Sequence, residues 1–229
     1  IAAGGGKVAI LDREGSAGAE VAAAIGGTFH PCDVMDYEGI ELVINEAVTA
    51  LGGLDVGINT AGGGRGKRTI SKDGPHSLDD FRFTIELNLI ATFNTNRLMA
   101  WHMSKNETNE DGERGVLINT ASIAAFEGQI GQVAYTAAKA GIAGMSLTMA
   151  RDLGSFGIRV NTVAPSLFDT GLTAGIPDDF KDVLTKDAAF PKRMGRPSEY
   201  ARLAIAIIEN PMLNGGTIRL DGGQRFAPK

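Results

Sequence analysis

The 229-residue chain, 43% apolar and 21% charged, has enough hydrophobic material to bury one sizeable core. Its net charge of −5 and isoelectric point near 5.3 argue against nucleic acid or a membrane surface as the main partner. One cysteine, Cys32, leaves no internal disulfide and fits a reducing, cytoplasmic setting, and no apolar run approaches the ~18 residues that span a bilayer.

In chain order, apolar strands and helical stretches alternate almost to the end. Lys7–Leu11 predicts a strand that ends in an acidic residue, Asp12, and Ala17–Ile25 predicts the helix after it. Thr28–Cys32 reads as a strand running into Asp33 and Val34, and Tyr37–Leu51 as a helix. Leu54–Asn59 is a strand that opens into "NTAG" (Asn59, Thr60, Ala61, Gly62), where glycine lets backbone approach a ligand closely. Gly62–Ser77 is a polar, glycine-rich loop carrying Arg65, Lys67, Arg68 and Lys72. A long helix, Leu78–Met103, holds a polar residue, Asn88, in an apolar run. The acidic turn Asn106–Gly115 leads to a strand, Gly115–Thr120, a helix, Gln132–Leu153, and a strand, Ile158–Ala164. Ser166–Arg196 is a long connection with a weak helix near Pro177–Ala188, and connections of this length are usually lids or binding loops. Helix Ser198–Glu209 and strand Thr217–Leu220 complete the series. The alternation predicts one α/β domain over residues 1–229, a doubly wound parallel sheet with helices on both faces and a substrate loop at about 166–196.

The most informative stretch is "TASIAAFEGQIGQVAYTAAK". Ser122 ends a strand, while Tyr135 and Lys139 sit one helical turn apart on a single face. An ammonium beside a phenol favours the phenolate, and a tyrosine poised in this way can pass a proton to or from a substrate oxygen. Ser122 can hold the same oxygen by a hydrogen bond. Taken singly, the Tyr–Lys pair reads equally as a surface pair, "NTAG" as a simple turn, Asp33 as a helix cap and Asn88 as a local carbonyl binder. Their order along the chain is what makes them one constellation.

That order, Asn59–Gly62, Asn88, Ser122, Tyr135, Lys139 and then Pro165, resembles the short-chain dehydrogenase/reductase family over essentially the whole chain. Within it, "RGVLINTASIAAFEGQIGQVAYTAAKAGIAGM", "ARDLGSFGIRV" and "EYARLAIAIIENPMLNGGTIRLDGG" look like the 3-hydroxyacyl-CoA dehydrogenase branch, also described as 17β-hydroxysteroid dehydrogenase-like. The resemblance implies a Rossmann fold, NAD as cofactor and a catalytic set of Asn88, Ser122, Tyr135 and Lys139. Tyr135 would be the general acid/base, Ser122 would orient the carbonyl, and Lys139 would lower the Tyr135 pKa and bond the nicotinamide ribose. Asn88 would bend its helix and hold a water that relays protons to Lys139. Asp12 would accept from the adenosine ribose, Asp33 and Val34 would frame the adenine, and Asn59, Thr60, Ala61 and Gly62 would run along the cofactor. Pro165, Phe168 and Thr170 would meet the nicotinamide end. Ser122, Phe126, Gln129 and Tyr135 would face substrate, with Leu172 and Phe190 across the pocket. Arg65, Lys67 and Arg68 would meet the phosphates of a CoA ester. The family usually has Pro-Gly where this chain has Pro165-Ser166.

The implied reaction is hydride transfer between nicotinamide and a hydroxyl/carbonyl pair, with a 3-hydroxyacyl-CoA becoming a 3-oxoacyl-CoA. An NADPH-dependent 3-oxoacyl-[acyl-carrier-protein] reductase is the alternative, and a non-catalytic RNA-processing scaffold sits poorly with the acidic charge. No metal, membrane or nucleic acid is expected, and a homotetramer is. Only eleven residues precede Asp12, whereas the phosphate-binding turn of a dinucleotide fold lies about 20 residues before this acid. We therefore expect a record truncated at its amino terminus, lacking the first, central strand of the 3-2-1-4-5-6 order, with Gly4–Gly6 on the wrong side to be that turn.

Overall fold

The computed structural model describes residues 1–228 apart from 174 and 176, and the side chains of these apart from 172 and 178–180. In chain order the elements are β1 (Ala9–Asp12), α1 (Gly18–Ile25), β2 (Thr28–Pro31), α2 (Gly39–Leu51) and β3 (Val56–Asn59). A short hairpin, β4 (Ile70–Ser71) with β5 (Gly74–Pro75), precedes α3 (Leu78–Ile85), a π-helical turn Glu86–Ile90 and α4 (Ala91–Met103). Then come β6 (Gly115–Thr120), α5 (Val133–Leu153), β7 (Ile158–Pro165), α6 (Asp178–Thr185), α7 (Pro197–Glu209) and β8 (Thr217–Leu220).

Strands β3, β6, β7 and β8 form one parallel sheet in that order. Its centre is sealed on both faces, as β6 shows residue by residue. Leu117 packs with Met103, Met149 and Val160, whereas its neighbours Val116 and Ile118 pack with Val163, Ala204 and Ile207 on the other face. Alternation along a strand delivers successive side chains to α4 and α5 on one side and α7 on the other. Each such fully buried side chain contributes about 1.5–3 kcal/mol.

Strands β1 and β2 form a second parallel pair, with Ala9 opposite Thr28 and Asp12 opposite Pro31. Among the described residues no ladder joins β1 to β3. A cavity of about 560 Å³ separates them, lined by Leu11, Val34, Ile40, Ile44, Val56 and Ile58 among others. The inner edges of β1 and β3 therefore face this cavity without a ladder between them. Gly4–Gly6 lie before β1, at the end of the strand opposite Asp12.

Helix ends follow local chemistry. Ser77 accepts from the Asp80 amide at the start of α3, and Pro197 occupies the first turn of α7 beside the Arg196–Glu199 capping box. The stretch expected as one helix from Leu78 to Met103 is continuous but widens at Asn88, whose amide leaves the helix to bond backbone elsewhere.

Candidate active site

Ser122 lies two residues beyond the end of β6 and Tyr135 and Lys139 lie in the first two turns of α5, so the end of a buried strand meets the start of a helix. The Ala124 amide donates to Ser122 Oγ at 3.1 Å and fixes the side chain, leaving its own proton for the Tyr135 oxygen. Burial raises the Tyr135 pKa, and the Ser122 hydrogen bond opposes that rise. Lys139 is 3% exposed, its Nζ donates to the Thr120 carbonyl at 2.8 Å, and burial lowers its pKa to about 8. Nζ lies over the Tyr135 ring, 5.6 Å from the centroid. The expected lowering of the phenol by Lys139 is therefore not what this geometry produces. The ammonium is drawn over the ring face toward a peptide oxygen, and desolvation dominates the phenol.

Asn88 is fully buried, and all its side-chain bonds go to backbone. Its Nδ2 donates to the Gly63 and Thr84 carbonyls at 2.7 and 2.8 Å, and its Oδ1 accepts from the Gly63 amide at 3.1 Å. This clamp holds the chain after β3 against Lys139. A Cβ at Gly62 would stand 2.6 Å from Asn88 Oδ1 and 3.1 Å from Lys139 Nζ, so only glycine fits there. Gly141 lets Leu89 of the π turn close onto α5, which brings Asn88 and Lys139 together.

The remaining cofactor candidates lie where the parallel strands end. Asp12 is exposed at the tip of β1, accepting from the Arg13 amide at 2.7 Å, and Asp33 and Val34 follow β2 beside it. Thr60, Ala61 and Gly62 leave β3 at the same edge, and Pro165 ends β7. Phe168 bridges to Gly195, against which its ring packs, and the Thr170 amide bonds Thr173 Oγ1. Asn59 is placed differently from the expectation. Its side chain bonds Asn96, Asn119 and Thr95 within the fold, which leaves only its backbone for the strand edge.

On the substrate side, Phe126 is half-exposed with the Arg219 guanidinium 5.1 Å from its ring centroid, and Gln129 Nε2 donates to the Ala227 carbonyl at 3.2 Å. Gln129 is thus tied to the C-terminal segment. Phe190 is 84% exposed, and the side chain of Leu172 lies outside the described residues. The expected basic cluster is also altered. Arg65 and Lys67 both grip Asp80, at 2.7 and 2.5 Å, and these bonds lower the Asp80 pKa. Arg68 and Lys72 are exposed nearby.

Two contributors carry no sequence signal. Thr120 supplies the carbonyl that meets Lys139, and its hydroxyl donates to the Asn59 carbonyl at 2.7 Å. That donation makes the Tyr200 hydroxyl of α7 the donor to Thr120 Oγ1, also at 2.7 Å. Both depend on neighbours distant in sequence.

The chain matches the family model described as enoyl-(acyl carrier protein) reductase over residues 1–225. It is 46% identical to a 3-hydroxyacyl-CoA dehydrogenase type-2 of Drosophila melanogaster over 228 residues, covering 98% of this chain and 89% of that protein. A crystal structure of a 3-hydroxyacyl-CoA dehydrogenase type-2 from Mycobacterium avium superimposes with a TM-score of 0.94 at 40% identity, covering 100% of this chain and 90% of the other. A 7α-hydroxysteroid dehydrogenase solved with NADH and a 7-oxo bile acid gives a TM-score of 0.83 at 26% identity, covering 97% and 86%. Likeness over nearly the full length, together with the parallel sheet and the Ser122–Tyr135–Lys139 corner, shows an oxidoreductase that belongs to the short-chain dehydrogenase/reductase family.

Proposed function

We propose that this protein oxidises 3-hydroxyacyl-CoA thioesters to 3-oxoacyl-CoA with NAD. The observation that carries the reading is Ser122 beside Tyr135 with Lys139 buried behind the ring, in a chain so similar to 3-hydroxyacyl-CoA dehydrogenases. A nicotinamide dinucleotide fits the residues present. Asp12 offers a carboxylate at the far strand tip, and Gly62 sets bare backbone rather than a side chain beside Lys139 at the other end. Asp33, Val34, Thr60 and Ala61 would line the path between them. Asp12 would accept from a ribose 2′-hydroxyl and repel a 2′-phosphate, which favours NAD over NADP. Bound NAD would supply the hydride acceptor.

The protein's own part is proton handling. Ser122, held by Ala124, turns its single proton toward the substrate oxygen when the alcohol binds, so the alcohol is aligned before its own proton moves. Tyr135, in its phenolate form, takes that proton as general base and ends the step as the neutral phenol. Lys139 places positive charge against the same ring and toward the ribose. Asn88 keeps Gly62 and Gly63 in place, a positioning role exerted through backbone. For the nucleotide end of the CoA ester we favour Arg68 and Lys72, since Arg65 and Lys67 are both held on the Asp80 carboxylate.

Among the described residues no helix is long and apolar enough to cross a membrane. Exposed Phe93 and Trp101 on α4 and Leu147 on α5 present apolar surface that a second helix pair would cover, and we propose a homotetramer built there in a cytoplasmic setting. The test of the function is a substrate comparison. Initial rates are compared for one acyl group carried on CoA and on an acyl-carrier protein, each with both nicotinamide cofactors. The CoA ester with NAD should give the highest kcat/KM. A preference for the carrier-protein thioester with NADPH would identify the reductase instead.

A further inference from the structure

β8 and the segment that follows it take no part in proton transfer, yet they are bonded both to the loop after Ser122 and to the connection between β7 and α7. On one side they hold the loop that continues from Ser122. Arg219 makes two bonds of 2.8 Å to the Glu127 carboxylate while stacking over Phe126, and Arg225 reaches Glu127 at 3.5 Å. The Gln129 side chain donates to the Ala227 carbonyl at 3.2 Å, and the Ile130 amide to the Pro228 carbonyl at 3.1 Å. On the other side they hold the end of the substrate connection. Gln224, 2% exposed, donates to the Leu184 carbonyl of α6 at 2.7 Å, and the Phe190 amide donates to the Gly222 carbonyl at 3.0 Å. Asp221 fastens the middle, with Arg219 at 2.7 Å and Arg225 at 3.0 Å.

We propose that residues 221–228 form a strap joining the Ser122 loop to α6, and that this strap sets how long an acyl chain the cleft admits; the chain-length role rests on the acyl-CoA reading above. A segment bonded at once to residues 127–130 and to residues 184–190 limits how far these can part, because moving them apart must break bonds at one end or the other. Glu127 and Asp221 balance Arg219 and Arg225, so the junction near Phe126 is neutral, pairwise satisfied and resistant to sliding. A short acyl chain leaves the strap seated, whereas a longer one reaches it.

Two variants test the strap: one ending at Gly223, without Gln224 and the residues after it, and Gln224→Ala, which keeps the charged junction. Amide hydrogen exchange is read at residues 126–131 and 184–190, and kcat/KM across straight-chain 3-hydroxyacyl-CoA esters of increasing length. In the shortened form exchange should quicken by at least about tenfold in both segments. The kcat/KM of long over short esters should rise by about tenfold, with turnover of the shortest ester within about twofold of the parent. Gln224→Ala should shift the length profile in the same direction, and it decides the matter if the shortened form does not fold. Faster exchange in one segment alone, or in neither, overturns the strap. Faster exchange in both with an unchanged length profile overturns the selective role. A parent protein inactive on every CoA ester overturns the acyl-CoA reading and the length role with it, while exchange still decides the strap.

Discussion

Lys139 carries a charge into a site where it is 3% exposed, with the Thr120 carbonyl at 2.8 Å to meet it. Its pKa of about 8 lies below the ordinary 10.5, so between these values the unfolded chain binds more protons than the folded one. Stability therefore rises with pH through that window, and the full cost of burial is present at pH 7. Lys139→Met should be more stable than the parent at pH 7 by roughly 1–3 kcal/mol, allowing for the lost Thr120 bond. Denaturant titrations should show that advantage shrinking toward pH 10 even though activity is lost. Equal or lower stability of the variant at pH 7 would contradict the assigned burial cost. Gly62 is a second sensitive position, because a methyl there meets Asn88 Oδ1 at 2.6 Å. Gly62→Ala should lose about 1–3 kcal/mol by overpacking and lower kcat/KM by at least about tenfold. Asn88, Ser122, Tyr135 and Lys139 stood out in the sequence through their order and its resemblance to the family, not through residue types taken singly. The Thr120 carbonyl did not, since a backbone oxygen has no signature in sequence.

At the scale of elements, Gly115–Thr120 and Thr217–Leu220 appear with the bounds their apolar patterns predict. The π turn did not announce itself, because it depends on bonds from Asn88 to Gly63, 25 residues away. Asn88→Ala would leave the Gly63 amide and carbonyl without these partners, at a cost of about 1–3 kcal/mol. Its kcat/KM should fall by at least about tenfold, read by steady-state rates beside a melting curve, and native kinetics in a folded variant would remove Asn88 from the site. Hairpin β4–β5 was equally hidden, being two residues to a strand with Ile70 73% exposed. The basic loop was misread for a related reason. Four cations close in sequence gave no sign that Asp80, on α3, would claim two of them.

For the whole molecule, the alternation of strands and helices was enough to specify the parallel α/β architecture. The exposed apolar residues of α4 and α5 do not say how many copies meet. Phe93→Asp with Leu147→Asp should reduce the mass seen by light scattering from tetramer to dimer or monomer, because the charges would be buried without partners. An unchanged mass would move the interface elsewhere. The central claim is that the Ser122–Tyr135–Lys139 corner removes the proton while a 3-hydroxyacyl-CoA is oxidised. Its most direct test is the initial rate of NAD reduction with such an ester, measured side by side for the parent protein and Tyr135→Phe. We predict turnover by the parent and a fall of about 10²–10⁴-fold in the variant, with NAD affinity retained. No turnover by the parent, or equal rates in the two proteins, would contradict the account.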